Sequence, residues 1–445
     1  MKQAGCLRIT PAVLKRRSFL RVGSLSLLGL TLPGYLEAIS RASKAGRARD
    51  NISKAESCIL IWLEGGPSQM DTWDPKPNSN FKPISTKVSG IQISELLPNM
   101  SRHMDKVSII RSMQTEESNH EKAVYYGLTG HRPTPAMNFP GLGAIVSHEL
   151  GRRNQVPPHL VLPGKRGSRH HESQRGIFLG PENDPMLVGD PNQEDFKIAD
   201  LSLPKNLTWD HLQDRRSFLN LVDGFYREKV ERAEHAKMDQ FEEQALDMIM
   251  APQVRQAFDI SQESAKMREA YGRTSFGQSL LLARRLVESG SRFITAAGHD
   301  LNGWDTHSDN DNRNIKQTSE LDKSLPAFFE DLSQRGLLDS TTVVVMGEFG
   351  RSPHHNSKLG RDHWPHCWSL LLGGGGIRGG KIVGSSDERG AYVAEGRVSI
   401  GDLFATLYKA MGIDWHKEYM SPIGRPVKIA NSIDDETGQP VAELV

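Results

Sequence analysis

Residues 341–346, Thr-Thr-Val-Val-Val-Met, form a β-branched run with no charge and no glycine. Length and composition together mark it as a buried strand. Ahead of it, Leu321, Leu325, Phe328, Phe329 and Leu332 recur at helical spacing, the apolar stripe of an amphipathic helix. Before that helix, Arg292 to Ala296 reads as another short strand. Strand, helix, strand in that order predicts a parallel sheet with right-handed crossovers. Cys58 to Leu63 and Val107 to Arg111 read as two further strands, so the chain belongs to the α/β class.

Open α/β sheets collect ligands at the carboxyl ends of their strands, and here those ends are rich in polar groups. The 341–346 run empties into Gly347-Glu348-Phe349-Gly350-Arg351, and Arg361, Asp362, His363 and His366 follow a little later. Cys58 to Leu63 ends in Glu64-Gly65-Gly66-Pro67-Ser68 and continues to Asp71 and Asp74. His120 and Glu121 open a helical stretch closing at Thr129-Gly130, with glycine as C-cap. Asp305 and His307 stand two apart, so an extended backbone would point both side chains the same way. Asp71, Asp305, His307, Glu348, Asp362 and His363 are therefore candidate metal ligands. Oxygen and imidazole donors without thiolate suit Zn, Mn, Mg or Ca better than a structural thiolate zinc site.

Each residue also has a plainer role open to it. Asp74 before Pro75 can make a turn, and His120-Glu121 or Asp305-Thr306-His307 can cap a helix. Arg361-Asp362 can be a structural ion pair. Arg169-His170-His171 sits in an irregular, basic, Pro/Gly-rich stretch and reads as solvated.

The amino terminus has a different character. Lys15-Arg16-Arg17-Ser18-Phe19-Leu20-Arg21 precedes an apolar run, Val22 to Leu32, then Pro33 and small residues. The run is too short to span a bilayer and has the layout of an export signal. Its paired arginines resemble a twin-arginine signal. Residues 1–42 are thus expected to address the chain to the twin-arginine export machinery, and so to the periplasm or the cell exterior. The remainder would hold 48 basic and 53 acidic residues, a net charge of −5. It carries no basic stripe that would suggest nucleic acid and no membrane span. Cys58 and Cys367 are the cysteines left, and their apolar surroundings predict buried free thiols. Residues 43–445 are expected to form one domain, with the charged helical region 208–288 as an insertion.

Several longer words carry a family resemblance: GGPSQMDTWDPKP from Gly65, NHEKAVYYGLTGHRP from Asn119, GWDTH from Gly303, GEFGRSP from Gly347 and GRDHWPH from Gly360. On these the chain resembles the DUF1501 group within the alkaline-phosphatase-like, sulfatase-related superfamily, from about Ser57 to Met411. The resemblance implies a three-layer α/β/α sandwich with a mostly parallel central sheet and metal at the strand ends. It implies an exported, metal-dependent hydrolase of sulfate or phosphate esters, with an anionic ester or polysaccharide as substrate.

Aligning Leu128-Thr129-Gly130 with the end of the sulfatase nucleophile word places His120 where the formylglycine precursor would stand. No Ser, Thr or Cys occupies that position. The catalytic candidates are then His120, as nucleophile, base or metal ligand beside a metal-activated water, and Arg351, which with Lys76 could hold an anionic group. Glu348-Phe349 keeps the acid but loses the imidazole of the superfamily's aspartate-histidine pair. The alternative is a non-catalytic relative that recognises an extracellular polysaccharide or a protein partner.

Overall fold

The β-branched run forms a strand paired on both sides. A computed structural model describes residues 54–164, 168–194, 196, 251–297, 303–432 and 435–445. Its main sheet comprises β1 (Ser57–Trp62), β2 (Val107–Met113), β3 (His159–Leu162), β4 (Met186–Leu187), β5 (Phe293–Ala296), β6 (Thr341–Met346), β7 (Trp368–Gly374) and β8 (Ile382–Val383). The spatial order is β8-β2-β7-β6-β1-β5-β3-β4. Neighbours are parallel except where β7 is involved; it runs antiparallel to both β6 and β2.

Alternation along the strands splits the core in two. Ile59, Ile61, Val343 and Val345 face one apolar layer, whereas Cys58, Leu60, Trp62, Val344 and Met346 face the other. The principal helices are α1 (His120–Thr129), α2 (Leu142–Leu150), α3 (Pro252–Phe258), α4 (Ala265–Tyr271), α5 (Ser275–Glu288), α6 (Asn310–Gln334) and α7 (Ile400–Met411). Helices α3 to α6 cover the first face and α1, α2 and α7 the second. The result is the expected α/β/α sandwich. The five apolar residues at helical spacing in α6 are all fully buried. Arg284 of α5, also buried, ties the first layer together through ion pairs to Glu263 and Asp331 at 2.8 Å. Both Cys58 and Cys367 are buried free thiols; burial raises both, Cys367 to about 12.

Register decides which residues meet at the sheet edge. Trp62 of β1 pairs with Met346 of β6, so Glu64 and Glu348, each two residues further on, emerge at one carboxyl edge. The reversal of β7 is the antiparallel exception in a sheet that is mostly parallel, as expected. Because β7 returns alongside β6, no crossover is needed, and residues 347–367 stay at that same edge. There Gly350–Arg351 and His363–Trp364 form a small antiparallel hairpin with His363 opposite Arg351.

The export segment 1–42 and residues 208–250 of the expected insertion lie outside the described residues. Among the described residues, no helix is long and apolar enough to cross a membrane.

Candidate metal centre

Three backbone junctions build the site. First, the loop after β1 presses on the segment that carries Asp305. Gly65 has φ +113°, and a Cβ there would lie 2.5 Å from the Asp305 nitrogen, so only glycine fits without strain. The Trp304 N–H donates to the Glu64 carbonyl at 3.3 Å. Second, a Cβ on Gly360 would lie 2.0 Å from the His307 carbonyl carbon, and the Arg361 N–H donates to Thr306 O at 2.9 Å. Residues 306–308 are thereby clamped to 359–361. Third, α1 begins at the site itself. Asn119 caps it by accepting from the Lys122 N–H, and Gly130 ends it in the left-handed region at φ 73°, as its sequence suggests.

These junctions bring four predicted residues together. His120, Asp305 and His363 place ligand atoms within 4.8 Å of one another, a group that could hold a metal ion. His120 Nε2 is 3.3 Å from Asp305 Oδ2, and His363 Nε2 is 3.3 Å from Asp305 Oδ1. His307 Nε2 joins them, 3.3 Å from Asp305 Oδ1 and 2.9 Å from His363 Nε2. Extended spacing does point Asp305 and His307 the same way. Neither caps α6; Asp309 stands at that N-cap position.

The opposite nitrogen of each imidazole is tied to an oxygen that can only accept. His120 Nδ1 donates to Glu348 Oε1 at 2.7 Å, His307 Nδ1 to Asp362 Oδ1 at 2.9 Å and His363 Nδ1 to the Ser118 carbonyl at 2.6 Å. In the neutral rings all three Nε2 lone pairs therefore aim at the Asp305 carboxylate. Oriented histidines of this kind are the usual support of a metal site. Ligands about 2.0–2.1 Å from a tetrahedral zinc stand about 3.3 Å apart, which matches the three Asp305–imidazole contacts. His120 Nε2 is also buried without an aligned hydrogen bond, although it lies at ion-pair distance from Asp305. The residues present fit a divalent cation.

Electrostatics agree with that reading. Burial disfavours charge on His120, but its contacts with Asp305 and Glu348 outweigh this and raise its pKa to about 9. Burial alone would raise Asp305; its contacts with His120 and His363 and the Arg351 charge hold it far below the carboxylate range. Phe349 closes one side, its ring centroid 4.5 Å from that of His363 and 5.1 Å from that of His120.

The other candidates lie around this group. Glu348 accepts from His120 and, through both oxygens, from the Gly65 N–H at 3.0 and 3.2 Å. Exposed Asp362 orients His307. Arg351 is fully buried. It donates to the carbonyls of Gly65, Gly66 and Arg361 and pairs with Asp305 at 2.6 Å. It has no surface to offer an incoming anion. Lys76 pairs with Asp74 at 3.4 Å. Asp71 is not brought to the group. It is buried against Arg361 at 3.2 Å and accepts from Ser79 and Asn310, so the ion pair of Arg361 is with Asp71 and not with its neighbour Asp362.

One sequence expectation is overturned. His170 is not solvated: it is 2% exposed, with Nδ1 3.2 Å from Glu64 Oε2. Glu64, likewise buried, is opposed in its ionisation by burial, but His170, Arg169 and His120 together lower its pKa. The signal for Glu64 was present in the sequence, since it follows β1 as Glu348 follows β6.

A model of the family described as "Protein of unknown function (DUF1501)" matches residues 55–445. No curated protein sequence matches the chain. Among solved structures, the chain is similar to an alkaline phosphatase from the Antarctic bacterium TAB5, with 10% identity, TM-score 0.42, and coverage of 82% of this chain and 100% of that one. It is also similar to the lipoteichoic acid synthase LtaP from Listeria monocytogenes, with 10% identity, TM-score 0.40, and coverage of 86% and 77%. A third is the PsFucS1 sulfatase from Pseudoalteromonas sp., with 10% identity, TM-score 0.36, and coverage of 84% and 71%. At these scores the likeness says nothing about activity.

Proposed function

The chain belongs to the DUF1501 family, and on that premise we propose that it is an exported, metal-dependent hydrolase of sulfate or phosphate esters. The observation that carries this is the convergence of three imidazole Nε2 atoms on the Asp305 carboxylate, each 3.3 Å from one of its oxygens, with each ring oriented by an oxygen at its far nitrogen. His120, Asp305, His307 and His363 would hold one divalent cation. Three imidazoles and one carboxylate favour a zinc-like ion over magnesium or calcium, which prefer oxygen donors. When bound, such an ion supplies charge stabilisation to an ester oxygen and lowers the pKa of a water.

The chain's own residues set the geometry around it. Glu348 and Asp362 fix the tautomers of His120 and His307, Phe349 excludes water from one side, and Arg351 anchors Asp305 to the β1 loop. With His120, and not Ser, Thr or Cys, at the first position of α1, the attacking group would be a water.

The test is metal content and turnover of the purified protein. About one divalent ion per chain is expected, with hydrolysis of aryl sulfate or aryl phosphate; Asp305→Ala and His363→Ala should lose both. A folded wild type that takes up no divalent metal overturns the proposal. Metal uptake without turnover, together with binding to an extracellular polysaccharide, would assign the chain to the non-catalytic reading instead.

A further inference from the structure

We propose a second, metal-independent site in which Ser168, His170 and Glu64 act as nucleophile, base and orienting acid in the cleavage of a carboxylic ester. It does not rest on the metal-centre reading. The three residues form a linear relay: Ser168 Oγ lies 3.4 Å from His170 Nε2, and His170 Nδ1 lies 3.2 Å from Glu64 Oε2. A carboxylate only accepts, so Nδ1 carries the hydrogen and Nε2 presents its lone pair to the serine. That is the division of labour in serine–histidine–acid catalysis, which is recognised by geometry and roles rather than by sequence order. Nucleophile–base contacts are often this loose before substrate binds.

The simpler explanation for Ser168 is helix capping. It stands in the N-cap position of the helical turn Arg169–Glu172 with extended backbone, yet its side chain makes no cap hydrogen bond. The simpler explanation for His170, a loop histidine in water, fails on burial. Its backbone is also anchored: the His170 carbonyl accepts from Gln174 Nε2 at 2.8 Å, and Gln174 Oε1 accepts from Thr295 in β5 at 2.5 Å. Exposure is graded as catalysis requires, with the acid and base buried and the serine partly exposed.

Arg169 Nη1 is buried, makes no hydrogen bond and lies 3.8 Å from Glu64 Oε1. The Arg169 side chain is one-third exposed, and its remaining guanidinium N–H groups would donate to an oxyanion that forms during reaction. Glu64 would repel an ester that is already anionic, so a neutral carboxylic ester fits this site better.

The chemistry balances without a cofactor. The Ser168 hydroxyl proton passes to His170 Nε2 as Oγ bonds to the ester carbonyl carbon, and negative charge appears on the carbonyl oxygen beside Arg169. Collapse breaks the carbon–oxygen bond to the alcohol, which leaves with the proton from His170. Water then gives a proton to His170 and attacks the acyl carbon. The Oγ–carbon bond breaks, Ser168 recovers its proton and the acid departs.

The test is labelling of the purified protein with a fluorophosphonate probe, alongside hydrolysis of p-nitrophenyl acetate. Labelling should map to the peptide containing Ser168, survive chelation of divalent metal and vanish in Ser168→Ala. The rate should fall by about 10²-fold or more in His170→Gln, in line with loss of a general base. Ser168→Ala changes a partly exposed side chain, and its unaltered melting temperature would confirm that it folds. Absence of labelling in the folded wild type, or labelling that persists in Ser168→Ala, overturns the proposal and leaves the metal-centre reading untouched.

Discussion

The Nε2 atoms of His307 and His363 lie 2.9 Å apart, and each ring already spends its Nδ1 hydrogen on an oxygen. Two neutral rings so tied would face each other lone pair to lone pair, with the Asp305 carboxylate 3.3 Å from both. The contact is tolerable only with a shared proton or a shared cation between them. The same logic applies to His120, whose far nitrogen is committed to Glu348.

That division between donors and orienters makes Glu348 the informative position. If it acts by holding the His120 ring and the Gly65 N–H, Glu348→Gln should weaken metal binding by about 10–100-fold, the usual cost of removing an outer-shell partner. Stoichiometry should recover at saturating metal, as read by titration calorimetry and elemental analysis. His363→Ala should not recover. Loss of the ion from Glu348→Gln at any concentration would make Glu348 a ligand itself.

Much of this arrangement was legible in the sequence. The strand 341–346, the apolar stripe of α6, the glycine cap after Thr129 and the pairing of Asp305 with His307 all follow from local periodicity and spacing. What local pattern does not contain is register across the sheet. Only the pairing of Trp62 with Met346 shows that Glu64 is the counterpart of Glu348, and only the reversal of β7 keeps His363 near Asp305. Burial was equally invisible: Asp71 and Arg351 have the right chemistry for a site, yet both are consumed in holding the loops that form it. His170 erred in the other direction, because a basic, proline-rich stretch looks solvated until Glu64 is found beneath it.

Proton linkage gives a second prediction. In the metal-free protein His120 keeps its charge up to a pKa of about 9, against about 6.5 in an unfolded chain. A raised folded-state value contributes stability that is complete below about pH 6.5 and is lost as pH rises through about 9. Asp305, depressed by the same contact, adds no separate effect in that window; its share is lost only as pH falls below about 4. The melting temperature of chelator-treated protein should therefore decline from about pH 6.5 towards pH 9. Zinc uptake at pH 7.5 should release protons, since ligands must be deprotonated to bind. A melting temperature that is level across pH 6.5–9 without metal would contradict the charged His120–Asp305 contact.

Asp71 tests the boundary between scaffold and site. Its carboxylate and the Arg361 guanidinium are both fully buried at 3.2 Å, and Arg361 also donates to the Ser352 carbonyl at 2.9 Å. Asp71→Ala would strand a buried cation, a change that typically costs about 3–5 kcal/mol. It also removes acceptors from Ser79 and from Asn310 at the head of α6. Denaturant unfolding should register that loss, while the fraction still folded should bind the same number of divalent ions as the wild type. The reverse result, near-normal stability with the ion gone, would return Asp71 to the list of ligands and require its loop to swing towards Asp305 when metal binds.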